Sequence, residues 1–252
     1  MRVSPSRLID EAFAPAPEPR RIAPLIAHPY AHRGLHGPGV IENSRGAFLA
    51  ALAAGHGIEL DVQASRDGDA FVFHDYELGR LSEGSGAVSA LGSDDLARMR
   101  LKGSDETIAD LPEILALIAG KVPLLIEVKA GDGKVGALCL SVFRALDGYR
   151  GPVGVMSFNP EVGRWFALHG PRILRGLVVT EGRRKWRGGL ARRLALWRSQ
   201  AQFLAYDVRD LPSRFAARAR RRGLPVFTWT CRSAEDRALA TAHSDQPIYE
   251  TA

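Results

Sequence analysis

Apolar and polar residues alternate along the chain in two periods, and this pattern predicts strands separated by helices. Short apolar or period-two runs predict nine strands, at residues 25–31, 57–63, 70–74, 123–129, 152–157, 173–179, 202–207, 225–230 and 245–249. Apolar residues three or four positions apart predict eight helices, at residues 45–54, 93–100, 111–119, 133–147, 160–169, 187–198, 212–222 and 233–242. Strands that alternate with helices indicate an α/β fold with a parallel sheet.

The spacing of the strands predicts how the sheet is built. Strand 70–74 follows its neighbour after a tight turn, so it must be antiparallel and lies outside the parallel set. Eight strands remain, each separated from the next by helix-sized sequence, and the GxGxxG turn of a dinucleotide-binding sheet is missing. We therefore expect an α/β TIM (β/α)8 barrel over residues 25–252, an N-terminal arm over 1–24 and an insertion at 76–110 after the hairpin strand.

The segment 57–75 reads as a hairpin that gathers polar side chains on one face. Asp67-Gly68 is a two-residue turn signal, and counting back from it pairs Asp61 with His74. Residues that lie opposite each other share a face, so Glu59, Asp61 and His74 are predicted to cluster. The other face is predicted to be apolar, with Ile58, Leu60, Val62, Phe71 and Phe73.

Carboxylates at two strand ends are candidate metal ligands. In α/β barrels the active site lies at the carboxyl ends of the strands, where Glu59, Asp61 and Glu127 fall. Three oxygen ligands without thiolates suit one hard divalent cation, Mg²⁺ or Ca²⁺. The alternative is that these acids only form salt bridges with Arg33 and Lys129, although burying such charges without a ligand is costly.

Histidines and cations at strand ends complete the candidate site. His32 and His74 suit a general base and a general acid because the imidazole pKa lies near neutrality; the alternative is that they are metal ligands or structural histidines. Arg33 and Lys129 are placed to grip an anionic substrate. In the segment Glu42-Asn43-Ser44, Asn43 or Ser44 has the alternative role of a helix N-cap.

Composition places the protein among ordinary globular chains. Its 252 residues are 46% hydrophobic, and no apolar run approaches the roughly 20 residues of a membrane span. The first 20 residues lack an apolar signal core, and Cys139 and Cys231 lie far apart, so we expect a reduced, cytoplasmic location.

The positive charge is concentrated in one segment. The formal net charge is +6, and residues 183–198 hold seven Arg or Lys and no acid. Trp186, Leu190, Leu194 and Trp197 recur there at helical spacing, which suits a helix lying on an anionic membrane. A solvated helix is the alternative, and no recognised motif supports nucleic-acid binding.

Taken together, the polar motifs resemble those of the glycerophosphodiester phosphodiesterase family, part of the phospholipase C-like phosphodiesterases. The resemblance covers about residues 32 to 229 in order. The matching motifs are His32-Arg33-Gly34, Glu42-Asn43, Glu59-x-Asp61-Val62, Asp67-Gly68, His74-Asp75, Ile126-Glu127-x-Lys129, Ser157-Phe158 and Thr228-Trp229-Thr230. Ile41 departs from the pattern, because the family usually has proline there.

The resemblance implies a function and a role for each matched residue. His32 and His74 would be the acid–base pair, and Glu59, Asp61 and Glu127 would hold the divalent cation. The substrate-binding residues would be Arg33, Lys129, Trp229 and Glu42. The implied reaction is metal-dependent hydrolysis of glycerophosphodiesters to glycerol 3-phosphate and an alcohol. Two alternatives are a lysophospholipase D acting at a membrane and a catalytically silent barrel that binds anionic lipid.

Overall fold

A computed structural model describes residues 5–131, 135–182 and 188–251, and within them nine strands form one sheet. The strands are β1 Tyr30–Ala31, β2 Gly57–Ala64, β3 Ala70–Val72, β4 Leu124–Val128, β5 Val153–Ser157, β6 Leu174–Val179, β7 Phe203–Asp207, β8 Val226–Cys231 and β9 Gln246–Tyr249. All except β3 are parallel neighbours, and β1 pairs with both β2 and β9, so the sheet closes on itself. The predicted (β/α)8 barrel is confirmed, with β3 as the extra antiparallel strand.

The helices form the outer layer and connect the strands. They are α1 Pro5–Phe13, α2 Pro19–Ile22, α3 Arg45–Ala53, α4 Ser93–Arg98, α5 Leu111–Ile118, α6 Gly136–Ala145, α7 Pro160–His169, α8 Gly189–Ser199, α9 Arg214–Arg221 and α10 Ala234–His243. The predicted helices agree with α3 to α10 to within a few residues at each end. Residues 133–134 of the predicted helix 133–147 lie outside the described residues, as do residues 183–187 of the basic segment, which include the first residue of the predicted helix 187–198.

The N-terminal segment contains two helices, α1 and α2, that the sequence pattern did not predict. Proline occupies an N-terminal helical position in both, where a missing N–H costs nothing. Helix α1 lies against α8, where the Trp197 Nε1–H donates to Asp10 Oδ1 at 3.0 Å and the Phe13 and Trp197 rings are 5.9 Å apart. These contacts are distant in sequence, so the local pattern of α1 does not reveal them.

Two apolar layers hold the barrel together. Between the strands and the helices, residues such as Ile58, Leu60 and Ile126 pack against α3, α5 and α6 and are fully buried. Inside the barrel, Phe203 and Phe227 meet edge to face at 5.3 Å, beside Tyr30. The packed interior fills the barrel below the strand ends, so a ligand has room only at an end.

The β2–β3 hairpin has a different register from the one its sequence suggests. Val62 lies opposite Val72, and the Phe73 N–H donates to the Asp61 carbonyl at 3.1 Å. The predicted pairing of Asp61 with His74 is therefore wrong by one residue. The loop has three residues, because Gly68 adopts a positive φ of 93° after a turn closed by its N–H to the Ser65 carbonyl.

The change of register moves two aromatic residues to the other face of the hairpin. Phe71 and Phe73 were expected beside Leu60, but they pack instead with Leu78 and Leu96 in a separate apolar cluster. That cluster is the core of segment 76–110, which contains α4 and two short 3₁₀ helices. One face of the hairpin therefore packs against this segment.

Among the described residues, no helix combines the length and apolarity needed to cross a membrane.

Candidate active site

The carboxyl ends of the barrel strands surround a cavity of about 590 Å³. Residues from both ends of the chain meet there, because the closed barrel places β1, β2, β4 and β8 around one axis. The predicted site residues that line the cavity are His32, Arg33, Glu59, His74, Glu127, Lys129 and Trp229. Asp61 lies beneath them and is 1% exposed. The barrel thus brings together groups as distant in sequence as His32 and Trp229.

Glu59, Asp61 and Glu127 form a compact cluster of buried carboxylates. They offer one ligand oxygen each, and these oxygens lie within 4.8 Å of one another. Asp61 and Glu127 face each other in register on the neighbouring strands β2 and β4, which explains their closeness. Lys129 Nζ bridges the pair, at 3.0 Å from Asp61 Oδ1 and 2.7 Å from Glu127 Oε1. Both the carboxylate cluster and the salt bridges weighed as its alternative are therefore present.

The pKa values of the three carboxyl groups diverge because their cationic neighbours are shared unequally. Burial, reinforced by the other two acids, raises the pKa of Glu59 well above its usual range. Burial also raises the pKa of Glu127, against the opposing charge of Lys129. Burial alone would raise the pKa of Asp61 as well, but Lys129 and Arg33 hold it at about 2. Three acids meet two cations, so the cluster keeps an excess of negative potential.

This donor set fits a hard divalent cation. Three oxygen ligands with no sulfur, in a site with uncompensated negative charge, match what Mg²⁺ and Ca²⁺ require. A second set of close ligand atoms comes from His32, His36 and Glu250. It is a weaker candidate because its single acid, Glu250, already accepts from Arg232 through both oxygens, at 2.6 and 2.8 Å.

Each of the two candidate acid–base histidines is backed by a carboxylate. His32 Nδ1 lies 2.7 Å from Glu250 Oε1, and His74 Nδ1 lies 2.7 Å from Asp75 Oδ1. Such a contact fixes the orientation of the ring and leaves Nε2 as the nitrogen that can exchange a proton with a ligand. Burial lowers the pKa of both histidines, although Glu250 opposes this at His32 and Asp61 opposes it at His74. The lowered pKa favours the neutral form of each ring, which can accept a proton.

Glu42 does not line the cavity but holds two arginines behind it. Arg33 Nη1 donates to Glu42 Oε1 at 2.7 Å, and Arg80 donates to both Glu42 oxygens, at 2.7 and 3.1 Å. Arg80 also pairs with Asp75, so it links the Glu42 network to the carboxylate that orients His74. This geometry places Glu42 where it can orient Arg33, and the substrate-binding role that the resemblance implies for Glu42 stays a prediction.

Asn43 lies just before helix α3 and forms a hydrogen bond to the carboxylate cluster. Its Nδ2 donates to Asp61 Oδ2 at 3.0 Å, while Ser44 caps α3 by accepting from the Ala47 N–H at 3.2 Å. The two neighbouring residues therefore divide the roles that the sequence left open between them. Arg33 also takes part through its backbone, whose N–H donates to Glu59 Oε2 at 3.0 Å.

Sequence reasoning missed several residues that line or support the cavity, among them Glu250, Arg232 and Arg80. Glu250 directly follows the last strand of the barrel, so the strand-end rule would have found it. Arg232 follows β8 in the same way. Arg80 lies inside segment 76–110, and no sequence signal connects it to Glu42 and Asp75. Trp229 and Phe158 form the aromatic side of the cavity, with ring centroids 5.6 Å apart. The predicted position of Trp229 at the cavity is confirmed, and its role in binding substrate stays a prediction.

A closed parallel barrel with histidines, cations and carboxylates around a cavity at its strand ends has the architecture of a TIM-barrel enzyme. Comparison with known proteins identifies the family. The chain belongs to the glycerophosphoryl diester phosphodiesterase family, whose model matches residues 32–245. This confirms the resemblance seen in the sequence, and it places the chain among the phosphoric diester hydrolases.

Individual relatives agree with this assignment. A glycerophosphodiester phosphodiesterase of Caldanaerobacter subterraneus is 28% identical over 220 residues, which cover 82% of this chain and 86% of that protein. A crystal structure of a glycerophosphodiester phosphodiesterase from Thermotoga maritima has a TM-score of 0.70 at 22% identity, covering 87% of this chain and 92% of that one. An Oleispira antarctica phosphodiesterase, solved with the product sn-glycerol-3-phosphate, has a TM-score of 0.76 at 21% identity, covering 88% and 91%. The two solved structures share the barrel fold.

Proposed function

We propose that the protein hydrolyses glycerophosphodiesters to glycerol 3-phosphate and an alcohol. The observation that carries the proposal is the placement of two carboxylate-backed histidines and two cations around one cavity, above a cluster of three acids. Phosphodiester hydrolysis needs one group to take a proton, another to give one, and cations for the phosphoryl oxygens. Membership of the family and the product found in the Oleispira antarctica phosphodiesterase support this reaction.

The residues divide the reaction between them. One of His32 and His74 accepts a proton from the attacking hydroxyl, which belongs either to water or, in a route through a cyclic phosphate that water then opens to glycerol 3-phosphate, to the substrate's glycerol. The other donates a proton to the alcohol oxygen as its bond to phosphorus breaks. Arg33 and Lys129 stabilise the negative charge that develops on the phosphoryl oxygens. Glu250 and Asp75 hold the two imidazoles so that each transfer occurs through Nε2.

Glu59, Asp61 and Glu127 would hold one divalent cation, Mg²⁺ or Ca²⁺. Bound there, it would polarise the phosphoryl group and offset its negative charge. Lys129 and Arg33 neutralise part of the charge of the cluster in the absence of the ion.

Lysophospholipids are an alternative substrate class, because they contain the same glycerophosphodiester unit. The exposed Phe158 at the cavity edge, 46% accessible, favours this alternative by offering an apolar surface beside Trp229. It requires the enzyme to work at a lipid surface, and a contact through residues 183–198 would serve this purpose. A silent lipid-binding barrel is disfavoured because the acid–base groups and the cations are all present at the cavity.

A reducing compartment such as the cytoplasm is the proposed location. Cys139 and Cys231 are both buried and free. Burial raises the pKa of the Cys139 thiol to about 12 and that of Cys231 to about 11, so both thiols stay protonated. Neither forms a disulfide that would require an oxidising environment.

The test is release of glycerol 3-phosphate from glycerophosphocholine in the presence of Mg²⁺ or Ca²⁺, with lysophosphatidylcholine as the second substrate. We expect His32→Ala and His74→Ala each to lower kcat by about 100-fold or more, which is the usual contribution of acid–base catalysis. His169→Ala is the matched control, because His169 is exposed and contacts only the Trp165 side of α7. A wild-type protein inert on every glycerophosphodiester and lysophospholipid would overturn the proposal.

A further inference from the structure

A surface formed by α1, α8 and α9 combines exposed apolar side chains with a high density of arginine. Among the residues that the structure describes, nine large apolar side chains are exposed, and four of these lie on α1 and α8. They are Ile9, Phe13, Leu190 and Leu194, with exposed fractions of 42%, 56%, 67% and 52%. We call this the α1–α8 surface.

The four apolar residues form one continuous strip. Leu190, Leu194 and Trp197 recur every three or four positions, so they share one face of α8. Ile9 and Phe13 share a face of α1 for the same reason. The Phe13–Trp197 ring contact joins the two faces. The exposure is therefore a single apolar surface rather than scattered side chains.

The charge around this strip is strongly positive. Residues 188–222 hold nine Arg and two Asp, a net charge of +7 in a chain whose net charge is +6, so the rest of the chain is net negative. Asp10 alone is approached by Arg193, Arg218 and Arg222, at 3.5, 2.8 and 3.7 Å. Glu11 also acts on Arg222, but two acids do not neutralise three arginines, so the surface stays cationic.

Helix α9 extends the cationic surface along the strip. Arg214, Arg218 and Arg221 lie at positions i, i+4 and i+7, on one face of α9, and Arg218 turns that face towards α1 through Asp10. Arg214 also lines the groove between α9 and α8 with Leu190 and Arg193. Arg214 and Arg221 themselves are exposed. Arginines thus flank the apolar side chains on the side facing α9.

We infer that the α1–α8 surface, with the arginines of α9, binds the surface of an anionic phospholipid membrane. Exposed leucine and aromatic side chains enter the interface between headgroups and acyl chains, while the flanking arginines pair with anionic headgroups. Nucleic acid would need the same positive charge, but it gives no reason for the exposed leucines on α8.

The topology relates this surface to the candidate active site. Helix α8 follows the carboxyl end of β6, so its first turn lies at the end of the barrel that opens into the cavity. Glu181, in the connection, pairs with Arg192 of α8 at 3.4 Å and fixes this approach. Membrane binding through Leu190 would hold the cavity end of the barrel close to the lipid. The binding itself does not depend on which phosphodiester is hydrolysed.

The test is co-sedimentation of the full-length protein with vesicles. Wild type should bind vesicles of phosphatidylcholine mixed with phosphatidylglycerol and not vesicles of phosphatidylcholine alone, and added salt should weaken the binding. Arg214→Gln combined with Arg221→Gln should weaken it by about 25-fold, since each basic residue near an anionic surface contributes about fivefold. Leu190→Ser combined with Leu194→Ser should also weaken it, without changing its dependence on salt.

Matched controls remove the same chemistry from the opposite side of the barrel. Arg66→Gln with Arg98→Gln removes two exposed arginines near β2 and β3, and Leu49→Ser with Leu140→Ser removes two exposed leucines from α3 and α6. Both control pairs should bind vesicles as wild type does. Absence of wild-type binding, equal losses in the controls, or binding to duplex DNA in preference to vesicles would each overturn the inference.

Hydrolysis of soluble glycerophosphocholine separates this inference from the proposed function. The surface variants should retain that activity in full. A protein that binds vesicles but hydrolyses no phosphodiester would refute the proposed function and leave the membrane surface standing. An active enzyme that does not bind vesicles would refute only the inference that the α1–α8 surface binds a membrane.

Discussion

At the scale of single residues, the site consists of histidines whose useful orientation is set by carboxylates behind them. Glu250 contacts His32 Nδ1 at 2.7 Å and is itself gripped by Arg232. Burial would raise the pKa of Glu250, but the hydrogen bonds from His32 and Arg232 hold it at about 2. The carboxylate is therefore ionised throughout the neutral range, so it orients His32 at any pH at which the enzyme would be assayed.

We predict that Glu250 acts by positioning His32. Glu250→Ala should lower kcat by about 10- to 100-fold, a part of the usual acid–base contribution, because the ring loses its fixed orientation. KM should change little, because Glu250 is not expected to contact substrate. Glu250→Gln keeps an oxygen that can accept from Nδ1–H, so its kcat should lie between those of wild type and the alanine variant. Steady-state kinetics on glycerophosphocholine would check this order; equal kcat values for the two variants would contradict it.

Residues of the site differ in how well the sequence predicts them. Glu59 lines the cavity although it is the third of the eight residues of β2 and does not stand at its end. His32 and Glu127 were placed correctly at the cavity because they stand at strand ends, and strand ends follow from the apolar pattern. Arg80 was not, since its contacts with Glu42 and Asp75 arise only when segment 76–110 folds back over the site. Catalytic roles for all of these residues stay predictions until the variants are measured.

At the scale of elements, the turn from β1 into α3 is shaped by a glycine that no other residue can replace. Gly34 has a φ of 78°, and a Cβ built there would lie 2.8 Å from both the carbonyl carbon and the Cβ of Ala47. The tight approach brings the start of α3 against β1. As a result, Arg33 is held with its N–H directed at Glu59.

Gly39 offers a matched comparison for Gly34. Its φ is also 78°, but a Cβ there would meet nothing within 4 Å. Gly39→Ala should therefore cost only the strain of a positive φ, about 1 kcal/mol. Gly34→Ala adds a clash with backbone and should cost about 3 kcal/mol or more, with a loss of activity as Arg33 and His32 shift. Urea unfolding of both variants measures the difference, and equal losses would show that the contact with Ala47 is unimportant.

Elements were predicted well, and their pairing was predicted less well. Each strand of the barrel was located to within a few residues, apart from β1, where only Tyr30–Ala31 of the expected 25–31 forms a strand. The hairpin register failed by one residue because the turn signal Asp67-Gly68 is compatible with both a two-residue and a three-residue loop. A shift of one residue exchanges the faces of a strand, which explains why Phe71 and Phe73 were misplaced.

At the scale of the whole molecule, barrel closure gathers charges that the sequence keeps far apart. Glu59 and Asp61 from β2 meet Glu127 from β4, while Arg33 approaches from the end of β1 and Lys129 from the end of β4. The fold class was predictable because eight regularly spaced strands have few alternative arrangements. The balance of charge inside the closed barrel was not, since it depends on distances of a few ångströms between residues of different strands.

This balance leads to a prediction about metal binding that does not depend on activity. The protein stripped of metal with a chelator should gain thermal stability on addition of Mg²⁺ or Ca²⁺, because the ion binds the folded carboxylate cluster and not the unfolded chain. A concentration 100 times the Kd should stabilise it by about 2.7 kcal/mol. Glu59→Gln should remove most of this gain, and it should make the stripped protein more stable, since it relieves repulsion from Asp61 and Glu127.

The control for this measurement is Asp94→Asn, which removes an exposed acid from α4 and should keep the full metal-dependent gain. Thermal unfolding of wild type and both variants, with and without each ion, distinguishes two explanations of the buried acids. If the cluster is a metal site, only Glu59→Gln loses the gain. If the cluster serves only to form salt bridges with Arg33 and Lys129, wild type shows no gain with either ion.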